Sequence, residues 1–212
     1  EFADYQRDRI DYVVRQREGR EPTLEDYPEE YRDLDKLNNV GTNWYDLILQ
    51  NASVQDYNVD LQKGFQGGRI YFGLGYYDQD GTVQHTHFKR YSSNVGVQMD
   101  VLKTISLNAN IRPVFIDQRR AVTGVGRDNS ATGIALWANP VMSAYDEQGN
   151  LIPYINTPAN PYNSTWGFPN PLFLLQESKR NYTEFRNLGN LSLDWKPLEG
   201  LTLRSALSTI FS

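Results

Sequence analysis

Between Val54 and Phe115 the side chains alternate between apolar and polar with a period of two, through four consecutive runs. In VQDYNVDLQKG (54–64), Tyr57, Val59 and Leu61 are interleaved with Asn58, Asp60 and Gln62. RIYFGLGYY (69–77) puts Ile70, Phe72, Leu74 and Tyr76 on one side. RYSSNVGVQMDV (90–101) sets Tyr91, Val95, Val97 and Met99 against Arg90, Ser92, Asn94 and Gln98. TISLNANIRPVF (104–115) sets Ile105, Leu107, Ala109 and Ile111 against Ser106, Asn108, Asn110 and Arg112. Successive side chains of a strand fall on opposite faces, so each run predicts a strand with one apolar and one polar face.

Two architectures write this pattern. A soluble antiparallel sandwich buries the apolar face against a second sheet. A transmembrane barrel turns it to lipid and its polar face to water, with strands of about 9–11 residues rather than the 5–6 usual in soluble proteins. Run length and the strict alternation of short turns (65–68, 100–103, 196–200) with long connections favour the barrel, which has short turns on one side of the membrane and long loops on the other. The fold class expected is therefore all-β, part of a large antiparallel transmembrane barrel. Six strands do not close around a polar lumen, since the smallest such barrels have eight.

The rest of the composition excludes several functions. No stretch of about 20 apolar residues exists to form a transmembrane helix. Zero cysteines remove disulfides, thiolate metal sites and cysteine nucleophiles. A net charge of -5 argues against nucleic acid as a partner. The chain begins at Glu1 without a leader and stops within an alternating run at Phe211-Ser212, so it is expected to be an internal piece of a longer protein.

Taken in order, residues 1–53 are expected to be a loop region with short helices. FADYQRDRIDYVVRQREG (2–19) places Phe2, Tyr5, Ile10 and Val13 on a helical stripe, with Gly19 as the stop. Thr23 opens a short helical turn, and Asn43 caps a helix over 43–50 that buries Trp44, Leu47 and Ile48. Residues 54–115 carry four barrel strands. In the connection at 76–91, Asp80-Gly81 signals a turn, and His85 and His87 are the only histidines. His-x-His on a strand shares one face, but no third ligand at fixed spacing accompanies it, and no metal or other cofactor is expected. Residues 116–182 lose all periodicity and read as one long loop, with a hairpin tip at 146–150. Residues 183–212 resume it as two strands, TEFRNLGNLSLDW and LTLRSALSTIF.

At this point the residues resemble a known family. TNWYDLILQNASVQDYNVDLQKG (42–64), RIYFGLGYYDQDGTV (69–83), FKRYSSNVGVQMDV (88–101) and NPLFLLQESKRNYTEFRNLGNLSLDWKPLEGLTLRSAL (170–207) are similar to stretches of SusC/RagA-type TonB-dependent transporters of the Bacteroidetes outer membrane. The resemblance implies a 22-stranded barrel with a plug domain that lies outside this sequence. It implies import of oligosaccharides or oligopeptides, a SusD-like surface lipoprotein as partner, and energy from TonB. It also puts 1–53 and 116–182 outside the cell and the short turns in the periplasm.

No catalytic constellation stands out: the carboxylates Glu29, Glu30, Asp33 and Asp35 lie in one charge run, and no G-x-S-x-G is present, so no enzyme is expected. The best candidates for substrate binding are the loop aromatics Trp137, Tyr154, Tyr162 and Trp166, whose rings could stack on a sugar or pack the loop itself. Asn58, Asp60, Arg90, Asn94, Arg112 and Arg186 should face the lumen. Two other readings fit the same pattern, a soluble carbohydrate-binding β-sandwich and an outer-membrane barrel with a purely structural role.

Overall fold

The computed structural model describes residues 2–28, 31–33, 41–122, 130–146, 148–155 and 168–212, which divide into two compact units. One is a sheet, spanning residues 51–82, 86–120 and 180–212. The other gathers 1–50, 83–85 and 121–179.

The sheet has six strands: β1 (Val54–Phe65), β2 (Gly68–Asp80), β3 (His87–Leu102), β4 (Ile105–Arg119), β7 (Asn181–Leu198) and β8 (Leu201–Phe211). They pair antiparallel in the order β1-β2-β3-β4-β7-β8. All are at least 11 residues long, well above the soluble mode. The Gly67 turn has φ 82, a left-handed conformation that an L side chain adopts at a cost, and the carbonyl of Gly67 accepts from the Asp100 amide at 2.7 Å. The other two short turns follow β3 and β7, each beside a register shift. Between Ser92↔Val114 and Val95↔Ile111 the β3–β4 pairing passes Pro113, which has no N–H to give the ladder.

Register turns the period of two into two surfaces. Tyr57 lies opposite Tyr76, Tyr76 opposite Tyr91, Tyr91 opposite Phe115, and Phe115 opposite Phe185. The rings of Tyr57, Tyr76, Tyr91 and Phe115 follow one another at centroid distances of 6.4, 5.1 and 6.2 Å, and Phe185 meets Phe211 at 6.3 Å. One aromatic row therefore crosses all six strands, near the ends joined by the longer connections. Beneath it the same face carries Val59, Leu61, Ile70, Phe72, Leu74, Val95, Ile111, Leu191, Leu193 and Leu207. The larger of these are exposed, and no second sheet covers them among the described residues. At the short-turn end the face closes with Phe65 and Trp195, both exposed.

In the second unit, α1 (Phe2–Glu18) ends at Gly19. It buries Ile10 and Val14 with Tyr27, Tyr31 and Val141, whereas Tyr5 stays 62% exposed. Of the expected stripe Ile10 is buried, but its core partner one turn on is Val14, four residues away, rather than Val13. A 3-10 turn (Leu24–Asp26) follows Thr23, and α2 (Trp44–Ile48) starts at an Asn43 side chain that accepts from the Asp46 amide. The stretch read as aperiodic is shorter and more ordered than expected: β4 runs to Arg119, and two seven-residue helices, α3 (Ala131–Trp137) and α4 (Pro171–Glu177), stand within it. Between them, β5 (Tyr154–Ile155) pairs with β6 (Phe168–Pro169). Trp44, Ile48, Ala131, Ala135, Ala138, Ala144, Ile155, Leu172 and Leu175 make the core that these pieces share.

Polar side chains lock this core. Trp44 Nε1 donates to the Asn139 carbonyl at 2.9 Å, and Asn139 Nδ2 donates to the Tyr31 hydroxyl at 2.6 Å. Asn170, fully buried, donates to the Ala144 carbonyl at 3.0 Å while its Oδ1 caps α4 at the Leu172 amide. The hairpin tip at Asp146 is closed by the Tyr145↔Leu151 bridge, with Asp146 Oδ1 accepting from the amides of Gln148 and Asn150.

Candidate functional site

The polar face of the sheet is the surface on which chemistry-bearing groups converge. Asn58, Asp60, Arg90, Asn94, Arg112 and Arg186 all fall on it by register and alternation. Its middle is a low floor, because β2 contributes Gly73 and Gly75. A Cβ on Gly73 would meet Asp60 Oδ1 at 2.5 Å, and one on Gly75 would meet Ser92 Oγ at 2.6 Å. The side chains of β1 and β3 therefore lean inward over β2. One step nearer the short turns, the Tyr71 ring lies on Gly96, where any Cβ would come within 2.1 Å of it. Asn110 Nδ2 reaches the Tyr71 hydroxyl and Asn94 Oδ1 at 2.5 and 2.7 Å. Close to the short turns, Arg204 holds Asp194 in a two-pronged ion pair at 2.5 and 2.7 Å, and Ser106 bonds Asp100 at 2.7 Å.

Toward the longer connections the polar face changes to aromatics and arginines. Tyr77 lies opposite Arg90, whose guanidinium sits 5.3 Å over the Tyr77 ring, and Phe88 meets that ring edge-on at 5.9 Å. Gln118 lies opposite Tyr182, and Arg120 stacks 5.1 Å over Tyr182 while donating to Gln118 Oε1 at 3.0 Å. Arg186 is paired with Glu184 at 2.5 Å. Tyr77, Phe88, Arg120 and Tyr182 were missed by the sequence reading. Tyr77 ends its alternating run and Phe88, Arg120 and Tyr182 lie one to five residues beyond theirs, so carrying the strand parity that far would have placed them here.

The loop aromatics come out differently. Trp137 ends α3 and Tyr154 lies in β5, both in the second unit and more than half exposed. Tyr162 and Trp166 lie outside the described residues, as do Glu29, Glu30 and Asp35 of the acidic run. The two histidines do not share a strand face. His85 sits in the connection at φ 61, and His87 opens β3 with Nε2 3.8 Å from Asp117 Oδ2. Among the described residues no group of three or more His, Asp or Glu side chains could hold a metal ion. No described helix is long and apolar enough to cross a membrane.

The second unit also holds the strongest charge pairing outside the sheet. Arg20 spans Glu18 and Asp26 at 2.7 and 2.5 Å, and the Thr23 amide donates to Asp26 at 2.7 Å. The Arg20 guanidinium, then the Thr23 amide, hold the Asp26 carboxyl well below the usual carboxylate range. Burial, then its bond to Asp11, pushes the Tyr27 phenol up.

No family model matches the chain. Two curated proteins are similar to it: the TonB-dependent receptor SusC of Bacteroides thetaiotaomicron, 27% identical over 175 residues, and the TonB-dependent receptor P26 of Formosa agariphila, 26% identical over 173 residues. These matches take in 76% and 79% of this chain, but the chain spans only 17% and 16% of the relatives' length. Among solved structures, the RagAB peptide transporter superposes with a TM-score of 0.62. The RagAB peptide importer in its 'closed-closed' state superposes with 0.64. Each is 19% identical, with 81% of this chain and 19% of the other covered.

Proposed function

With the chain recognised as a stretch of a SusC/RagA-type TonB-dependent receptor, we propose that it forms part of the wall and outer loops of an outer-membrane importer of oligosaccharides or oligopeptides. The apolar face contacts lipid, the polar face lines the lumen, and the unit built from 1–50 and 121–179 lies outside the cell. The observation that carries this reading is the aromatic row from Tyr57 to Phe211 above an exposed apolar face. From Phe185 to Trp195 is ten residues of one strand. At about 3.3 Å per residue and a tilt near 40°, that spans roughly 25 Å, the height of the apolar band of outer-membrane barrels between their aromatic girdles. A soluble sandwich would cover this face with a second sheet.

The outer edges of β1 and β8 have no partner strand among the described residues. In hydrocarbon each unpaired backbone group costs several kcal/mol, so both edges must meet further strands. The 22-stranded barrel implied by the family supplies them. The same reading assigns a SusD-like surface lipoprotein as the outer partner, TonB as the energy source, and no catalytic step.

The test is to purify the native full-length protein and weigh what accompanies it. An integral outer-membrane protein that stays monodisperse only in detergent, with a surface lipoprotein bound, is the expected result. A protein soluble without detergent would overturn the barrel in favour of the sandwich. A detergent-solubilised barrel with neither a plug domain nor a lipoprotein would leave only a structural role.

A further inference from the structure

The polar face is unevenly charged, and the imbalance names a substrate class. From the middle of the sheet toward the longer connections, β3, β4 and β7 and the residue after β4 contribute four arginines, Arg90, Arg112, Arg120 and Arg186, and a single carboxylate, Glu184. Glu184 is already engaged by Arg186, and the other carboxylates of this level, Asp56 and Asp60, stand on β1, two strands from β3 and three from β4, with Asp60 leaning over β2. No ion pair among the described residues engages Arg90, Arg112 or Arg120. All three are exposed on a chain whose net charge is -5. Elsewhere on this face Arg204 is neutralised by Asp194, whereas Arg69 bonds the neutral Gln98 Oε1 at 2.9 Å.

Two of these guanidinium groups are also held in place. Arg90 rests on Tyr77 and Arg120 on Tyr182. A guanidinium stacked on a ring keeps its N–H edge outward and loses little freedom on binding, and that edge matches a carboxylate or sulfate with two parallel bonds. The exposed ring of Tyr182 and the half-buried Phe88 add apolar faces of the kind that stack on sugar C–H groups. Beside the glycine floor Asn58 Oδ1 and Asn94 Nδ2 offer amide groups to neutral ring hydroxyls, while Asn58 Nδ2, Ser92 Oγ and Asn94 Oδ1 are bonded to Asp56, the Gly75 carbonyl and Asn110.

We propose that this arginine–aromatic strip binds an anionic oligosaccharide, one bearing uronate or sulfate groups, as it passes along the wall. The proposal rests on the importer reading and deepens it. Arg90 and Arg112 take the acidic groups, Arg120 with Tyr182 guides the chain at the entrance, and rings and amides hold the neutral parts.

The test uses the full-length receptor in detergent with three probes of equal length: oligogalacturonate or a chondroitin-sulfate oligosaccharide, a neutral maltooligosaccharide, and an oligoglutamate peptide. The expected result is preferential binding of an anionic glycan, weakening as salt rises. It should weaken about tenfold in Arg90→Gln and again in Arg112→Gln, each a lost charge-assisted contact. Arg112→Lys should recover part of it. Binding of the neutral glycan as tightly as the anionic ones would overturn the proposal, as would stronger binding of the peptide, retention of no probe, or no response to either substitution. If a variant fails to assemble, the salt dependence of the unaltered receptor decides alone. Detergent dependence and the bound lipoprotein are read on the same preparation, so a failure here is separable from a failure of the importer assignment.

Discussion

Asn170 shows how much one residue carries in the second unit. It is fully buried, caps α4 through Oδ1, and gives Nδ2 to the Ala144 carbonyl, while Pro171 fills the first helical position where no N–H is needed. Asn170→Ala removes the cap and one of two hydrogen bonds to the Ala144 carbonyl, which keeps the one from the Ile152 amide, a combined loss of about 1–3 kcal/mol. Amides of 171–178 should then exchange with deuterium at least tenfold faster, whereas Asn170→Asp, which keeps the cap, should fall between. Unchanged exchange in Asn170→Ala would show that the core holds α4 without it. Asp26 gives a pH prediction. Its folded-state pKa is depressed by Arg20 and Thr23, so its contribution is present above the unfolded pKa, near 3.9, and fades as pH falls through the lower folded value. The carboxyl carbon shift of Asp26 should stay flat from pH 7 to about 4, and a midpoint at the ordinary aspartate value would contradict the pairing. Single residues were legible where a side chain acts on its own neighbours: Asn43 was read correctly as a cap. They were not legible where distant chain decides, since nothing in 2–19 says that Tyr5 stays out and that Val14 meets Tyr27 and Tyr31.

For the elements, alternation was the strong signal and helical pattern the weak one. All six strands were readable because their alternating runs extend over nine residues or more. They run further than the sequence suggested. Ile116–Arg119 breaks the alternation yet still pairs with Asn181–Glu184, so the ladder outlasts the hydrophobic pattern. α3 and α4 stayed hidden because seven residues hold barely two turns and their buried side chains include the small Ala131, Gly133 and Ala135. Their start signals were nevertheless present: the Ser130 side chain accepts from the Gly133 amide, and Asn170-Pro171 is a cap followed by proline. The face assignment makes a prediction at this scale. Leu107→Arg or Val97→Arg puts a charge on the apolar face and should cost about 2–4 kcal/mol near the bilayer midplane, depleting the heat-resistant folded band of the assembled barrel. Asn108→Arg, one residue from Leu107 on the other face, should assemble far better. Equal damage from both would refute the lipid-facing assignment.

For the molecule as a whole, what was legible is the class of surface and what was not is its target. Alternation fixes which residues share the apolar face, because a one-residue slip would move every leucine to the other side. On the importer reading it says nothing about what would cross the lumen, because that would depend on side chains brought together from β2, β3, β4 and β7 and on the loop aromatics, of which Tyr162 and Trp166 lie outside the described residues. On the same reading the aromatic row would mark one edge of the bilayer, and that can be measured. This stretch contains no cysteine, so single spin labels can be introduced at will. Labels at Leu74→Cys and Val97→Cys should collide readily with dissolved oxygen and poorly with a water-soluble nickel complex. A label at Tyr91→Cys, level with the row, should respond to both. Labels at Asn94→Cys and Asn108→Cys should prefer the nickel complex, although each lies one or two residues along the chain from an apolar-face site. The reason is the pleat: depth changes by only about 3 Å per residue, while the face changes completely. A smooth gradient along β3, with no alternation between neighbours, would mean that the strand is not embedded as a wall with lipid on one side and water on the other.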